Sequence, residues 1–254
     1  MRAVRGAAIA LAAAILAGCQ AAPAPTIPAE AVLVAGGGEE RVELNRITDE
    51  VWVHTTYADY EGSRVPSNGL LVVTDAGVVV VDTPWTPEQT EVLAGLALEA
   101  FEAEVTAAVV THAHPDRMGG APYLRDEGIT IISLEIVATT AAATGYVVPD
   151  DVRTGDAVAL TLGGVELEVS YPGAGHTVDN TVVWIPEHRV LFGGCLVKEQ
   201  RAVTLGNTAE ADVDAWPVSL EAVARRYPTA DVVVPGHGAW GDLGLVDHTS
   251  SLFG

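Results

Sequence analysis

Residues 109–120, Val109-Val110-Thr111-His112-Ala113-His114-Pro115-Asp116-Arg117-Met118-Gly119-Gly120, constrain this chain more than any other stretch. The β-branched run before them predicts a strand over 105–110. Pro115 opposes its continuation, so the ligand-type residues fall in a loop at a strand end. In extended backbone alternate side chains share one side, which turns His112, His114 and Asp116 towards a common cavity. A His-x-His pair alone is equally compatible with a solvated loop; the later turns of the chain decide between the two.

Three of those turns carry related chemistry. Pro172-Gly173-Ala174-Gly175-His176-Thr177, Gly193-Gly194-Cys195 and Pro235-Gly236-His237-Gly238 each place a histidine or a thiol after a strand-like run, among small residues that let backbones crowd together. Singly, each is an ordinary turn. Jointly, six N, O and S donors on four turns suit two zinc ions, because zinc accepts all three donor types and its catalytic sites keep a position open. His54 within a strand, His188 in a polar turn and His248 in the tail have no neighbouring ligand partners and read as structural.

The chain of 254 residues, 49% hydrophobic, is long enough to bury a substantial core, and one α/β domain is the economical expectation over 41–254. Residues 1–19 stand apart. Arg2 and Arg5 precede an apolar run at 7–17 that is too short to span a bilayer, followed by Leu16-Ala17-Gly18-Cys19. This start resembles a bacterial lipoprotein signal, which implies lipidation of Cys19; a plain secretory signal is the alternative, and both export the protein. Residues 20–40, rich in Ala, Pro and Gly, read as a flexible tether. Gln20, after the lipidated cysteine, lacks the aspartate associated with inner-membrane retention, so the expected location is the periplasm, on the outer membrane.

With Cys19 lipidated, Cys195 is the only other cysteine, and no intramolecular disulfide is available. Metal ligation would protect a lone thiol in an oxidising compartment. A formal net charge of −21 opposes a nucleic-acid partner, since no basic patch offsets it. Removing Arg2 and Arg5 leaves 11 basic residues against 34 acidic ones. Lys198, the only lysine, lies three residues after Cys195.

The expected order of elements is strands at 51–56 and 69–74 flanking a long loop at 57–66, which is either an active-site flap or a surface hairpin. A buried strand at 77–81 follows. Thr86-Pro87-Glu88-Gln89 then reads as a helix start, with Val92, Leu93, Leu96 and Ala100 facing the core. Further expectations are a helix over about 116–126, strands at 129–134, 158–171 and 181–192, a helix over about 212–227 with Val213, Trp216, Leu220, Val223 and Tyr227 on one face, and a buried strand at 231–234. Two mixed sheets packed face to face with helices outside, an αββα sandwich, satisfy this order.

From about residue 51 to 252 the chain resembles the metallo-β-lactamase family, through Pro66-Ser67-Asn68-Gly69-Leu70, Val80-Val81-Asp82-Thr83-Pro84-Trp85, residues 112–120, Gly173-Ala174-Gly175-His176-Thr177, Gly193-Gly194-Cys195-Leu196-Val197-Lys198, Leu205-Gly206-Asn207 and Val234-Pro235-Gly236-His237-Gly238. It is most similar to the two-zinc subclass with a Cys ligand, the first of the class B subclasses. The resemblance implies that His112, His114 and His176 hold one zinc and Asp116, Cys195 and His237 a second. It implies an enzyme that opens the β-lactam amide of penicillins, cephalosporins and carbapenems by attack of a zinc-held hydroxide, without a covalent acyl-enzyme, and confers antibiotic resistance. Asp116 would orient the hydroxide and Asn207 would stabilise oxygen charge. Lys198 would anchor the substrate carboxylate, its alternative being an ordinary solvated charge. Asp82 and Arg117 would orient ligands. Trp85 is either an apolar wall for substrate or a core residue. Glyoxalase II-like relatives carry His and Asp where this chain has Arg117 and Cys195. A monomer is expected. A lactone or thioester hydrolase on the same scaffold and a zinc-sequestering lipoprotein are the competing functions.

Overall fold

A computed structural model describes residues 32–60 and 62–254. The expected signal peptide, Cys19 and residues 20–31 of the expected tether lie outside the described residues. The remainder of that tether is ordered: β1 (Val32–Ala35) pairs antiparallel with β2 (Val42–Arg46), and a single 3-10 turn at Gly38–Glu40 joins them. The folded unit therefore includes residues 32–40, which composition assigns to the tether. Ala, Pro and Gly content marks the stretch as irregular, whereas Val32-Leu33-Val34 is a short apolar, β-branched run of the kind strands use.

β3 (Val51–Tyr60) and β4 (Ser63–Thr74) replace the expected short strands and long loop. They stay paired out to Tyr60 and Ser63, leaving a two-residue connection, so the flap is a long hairpin. β5 (Gly77–Val81) is buried along almost its whole length, as its run of four valines requires. α1 (Pro87–Phe101) starts on Thr86, whose hydroxyl accepts the Gln89 N–H at 3.2 Å. The Gln89 side chain accepts from Trp85 N at 3.1 Å and donates to Glu39 O and Tyr57 O at 2.6 and 2.8 Å, tying the helix start to the flap. β6 (Val105–Val109) then leads to α2 (Pro115–Met118) and α3 (Ala121–Asp126), two short helices where one was expected; Gly119-Gly120 separates them. β7 (Thr130–Leu134), α4 (Glu135–Thr144) and β8 (Asp151–Arg153) complete the first half.

The second half holds β9 (Ala157–Leu162), β10 (Val165–Ser170), β11 (Val182–Ile185), β12 (Val190–Gly194), α5 (Trp216–Arg226), β13 (Val232–Pro235) and α6 (Gly244–Ser251). The two long expected strands are thus hairpins, turned at Gly163-Gly164 and at the segment containing His188. α5 begins four residues later than expected and leaves Val213 exposed. His248, expected in the tail, lies on α6.

Eight strands form one sheet in chain order, antiparallel from β1 to β5 and parallel from β5 to β8. The other sheet runs β13-β12-β11-β10-β9, with only β12 and β13 parallel. Three apolar layers hold the stack together. Leu71, Val80, Leu93 and Leu124 pack the first sheet against α1 and α3, and Val53, Leu70, Val109, Val169 and Phe192 join the two sheets. Leu191, Trp216, Leu220 and Leu245 join the second sheet to α5 and α6. The expected αββα sandwich is the observed fold.

Candidate metal centre

Four strand ends converge at one edge of the sandwich. β6 leads to His112 and His114, β10 leads to His176, β12 ends one residue before Cys195 and β13 leads to His237. Asp116 arrives differently from the alternation expected of it: the backbone turns helical at Pro115, and His114 is the extended residue that caps that turn. The turn, and not a continuing strand, brings Asp116 within 4.8 Å of the ligand atoms of His112 and His114.

Asp116 Oδ2, Cys195 Sγ and His237 Nε2 form a nearly equilateral triangle, with separations of 3.5, 3.3 and 3.3 Å. Three donors on one face of a tetrahedral zinc are about 3.4 Å apart at ordinary zinc–ligand bond lengths. On the other side His114 Nδ1 faces His176 Nε2 at 3.3 Å, and His112 Nε2 is buried with no hydrogen-bond partner. Cys195 also lies within 4.8 Å of His112 and His176, so the donor groups are contiguous. All six ligands expected from the sequence come together, and the donor set and spacing fit zinc.

The surroundings fix which nitrogen carries a lone pair in three of the four rings, those of His112, His114 and His237. Thr111 Oγ1 donates to Asp82 Oδ2 at 2.7 Å and is then free to accept His112 Nδ1–H at 3.3 Å, leaving Nε2 as the donor atom towards a metal. His114 Nε2 lies 3.1 Å from Glu210 Oε2, which assigns its N–H there and frees Nδ1. His237 Nδ1 gives its hydrogen to Pro66 O at 2.6 Å, so the flap hairpin orients this ligand. Glu210 and Thr111 are contributors that sequence reasoning missed; Glu210 lies three residues beyond the Leu205-Gly206-Asn207 motif, and nothing in its local pattern marks it.

Electrostatics favour neutral His112 and His176 beside a held anion. Burial, reinforced by positive neighbours, pushes His112 and His176 well below 6.5. Burial alone would raise Asp116, yet Arg117 and His237 hold its carboxyl well below the usual carboxylate range. Against the desolvation that would lower it, Cys195 and Asp116 raise His237 to about 10: the two groups favour a positive charge at Nε2. Asp82 is pushed up to about 7 by burial, with Arg117 and Thr111 pulling it back. Arg117 is fully buried and donates to Asn68 O, to Gly236 O at 2.9 Å and to Asp116. Asp82 holds φ +59°, which costs a non-glycine residue about 1–3 kcal/mol; Val109 O and the His54 ring brace it. His54 is thus structural, as expected.

The centre opens on a cavity of about 680 Å³. Trp85 lines it, half-buried, with Tyr60 and His237 at ring distances of 6.0 and 6.5 Å, which favours the wall over the core residue. Asn207 is exposed on the rim; its Oδ1 accepts from Ala209 N, and its NH2 has no acceptor among the described residues. Lys198 lines the cavity, with no carboxylate partner among the described residues.

Residues 62–237 match the profile of the Metallo-beta-lactamase superfamily. The chain belongs to that superfamily. It is 42% identical over 212 residues to a metallo-beta-lactamase type 2 of Bacillus sp. (strain 170), covering 83% of this chain and 82% of that one. A metallo-beta-lactamase type 2 of Bacteroides fragilis is 36% identical, with coverage of 83% and 85%. Among solved structures, a metallo-beta-lactamase from Pontibacter korlensis superposes with a TM-score of 0.80 at 43% identity, covering 84% of this chain and 98% of the other.

Proposed function

We propose that this protein is an exported, two-zinc β-lactamase acting on penicillins, cephalosporins and carbapenems, a monomer held at the outer membrane through lipid on Cys19. The observation that carries the catalytic reading is the joining of two donor groups, in one cavity, with an ammonium that has no carboxylate partner and an amide donor that has no acceptor among the described residues. Type 2 metallo-beta-lactamase relatives at 33–42% identity over 83% of the chain support the same activity.

His112, His114 and His176 would hold one ion and Asp116, Cys195 and His237 the other. Bound zinc supplies water acidified to a pKa of about 7 and polarisation of the reacting carbonyl. The rest falls to the chain's own residues. Lys198, a compact point charge, binds the substrate carboxylate and sets the ring's orientation. The Asn207 NH2 donates to oxygen as negative charge develops there. Asp116 accepts from the attacking water and orients it, while Arg117 keeps that carboxylate ionised and in place. Trp85 and Tyr60 cover the apolar body of the substrate and exclude water from it.

Turnover of a penicillin and a carbapenem, with and without chelator and beside Cys195→Ser, tests the function, and metal analysis gives the ion count. Zinc-restored turnover that Cys195→Ser largely loses is expected. A folded, zinc-loaded protein inert on every β-lactam would overturn the assignment and favour a lactone or thioester hydrolase, or zinc storage. Membrane fractionation of wild type against Cys19→Ala tests the anchor; unchanged partitioning would remove it.

A further inference from the structure

Trp216 opens α5 and is fully buried, yet its indole touches both parts of the site. The Lys198 Nζ lies 5.2 Å from the ring centroid, and the His176 imidazole packs against the same indole at 5.8 Å and 63°. The indole N–H donates to Leu196 O at 2.8 Å, two residues before Lys198, and Phe253 closes on it at 5.7 Å. Gly175 lets the His176 backbone approach: a Cβ there would meet Trp216 Cδ1 and Cγ at 3.1 Å. The indole is held from several sides and is a fixed surface.

Lys198 is the only lysine in a chain with 34 acidic residues. A carboxylate beside it would neutralise it and compete with an arriving anion. An aromatic face attracts the ammonium through the ring quadrupole and takes none of its three N–H donors away from an acceptor. We propose that Trp216 is the positioning residue for substrate carboxylate recognition, holding the Lys198 ammonium un-neutralised and at a fixed place relative to His176. The choice of substrate rests on the β-lactamase reading; the placement of Lys198 does not. Burial lowers Lys198, with Cys195 and Asp116 opposing the shift, and the ring face adds to the side that keeps it charged.

The test compares full-length Trp216→Leu and Trp216→Phe, each alone and with Lys198→Met, on a penicillin and on its methyl ester. Trp216→Leu is expected to raise KM for the free acid about three- to tenfold with a smaller change in kcat, and Trp216→Phe to recover most of that loss. The ester is expected to be insensitive, and the KM effect to vanish in the Lys198→Met background. Labelling lysine with 13C at Cε gives one resonance, because there is one lysine. Its attached protons should be shifted upfield by the indole in wild type and released in Trp216→Leu.

Equal KM effects on acid and ester, additivity with Lys198→Met, loss confined to kcat, or a wild-type lysine signal without ring-current shift would each overturn the proposal. Should Trp216→Leu fail to fold, the Trp216→Phe kinetics and the wild-type resonance decide it. A shifted lysine signal in a zinc-loaded wild type that turns over no β-lactam would overturn the substrate assignment, and the failure would then lie in the function and not in the placement of Lys198.

Discussion

Arg117 directs two donors, Nε at 3.1 Å and Nη2 at 2.7 Å, at the same oxygen of Asp116, and that oxygen is the one facing Cys195 and His237. The guanidinium is also 3.4 Å from Asp82 Oδ2 and hydrogen-bonds to Asn68 O and Gly236 O. One side chain therefore joins the middle of β4 to the ends of β5 and β13 behind the metal centre. Arg117→Leu would leave buried Asp82 without a cation and Asp116 with only the His237 ring beside it. Removing one member of such a pair costs about 3–5 kcal/mol, so a large fall in the urea midpoint is expected. Arg117→Lys, a point charge without the fork, should recover part of that stability but not the Asp116 geometry. A midpoint unchanged in Arg117→Leu would show that water or another donor already satisfies Asp82 and Asp116.

Thr111→Val tests the relay from Asp82 to His112. The substitution keeps nearly the same volume while removing the hydroxyl that gives its hydrogen to Asp82 and accepts one from His112. The ring then loses the contact that selects its tautomer. Partners of this kind are worth about 10–100-fold in metal affinity, and competition against a chromophoric chelator would measure the loss. Affinity equal to wild type would mean that packing alone orients His112.

The donor residues were legible in the sequence because each sits in a short turn whose Gly and Pro content is visible locally: Gly175 before His176, Gly194 before Cys195, Gly236 before His237. The two-sheet layering was legible for a similar reason, since runs such as 77–81 are apolar throughout. What stayed hidden depends on contacts between residues distant in the chain. Glu210 meets His114 across 96 positions, and Pro66 O meets His237 across 171. Trp216 reads as one more core residue on α5, and nothing in the pattern reveals Lys198 on its face. The hairpin extension to Tyr60 was missed because Asp59 and Gly62 signal a loop, whereas pairing of Asp59 with Arg64 carries the ladder on.

Gly236 is required by close approach. Its φ is not among the positive values, but a Cβ there would lie 2.7 Å from Cys195 Sγ, 2.8 Å from Cys195 N and 2.9 Å from Arg117 Nη2. Two of these neighbours cannot move without displacing a ligand or its backbone. Gly236→Ala is therefore expected to fold with a lowered melting temperature and to lose the ion held by Asp116, Cys195 and His237, giving about half the wild-type zinc content if two ions bind. Wild-type zinc content in the variant would contradict the clash.

His237 gives the metal centre its pH dependence. Cys195 and Asp116 raise it to about 10 in the metal-free fold, above the ordinary 6.5, in spite of burial. A raised histidine contributes stability that is fully present below its unfolded pKa and lost as pH climbs through the folded one. The metal-free protein should accordingly lose that contribution progressively from about pH 6.5 to 10. Zinc affinity should move the opposite way, because Nε2 must release its proton before it binds an ion. Each unit of pH below 10 then costs the metal about a factor of ten for this one proton. Calorimetric titration of zinc at pH 6, 7 and 8 in buffers of different ionisation heat would count the protons released. His237→Gln removes the titrating group while keeping a hydrogen bond to Pro66 O available, so its residual zinc binding should lose one proton of that dependence. An unchanged proton count in the variant would place the released proton on another ligand.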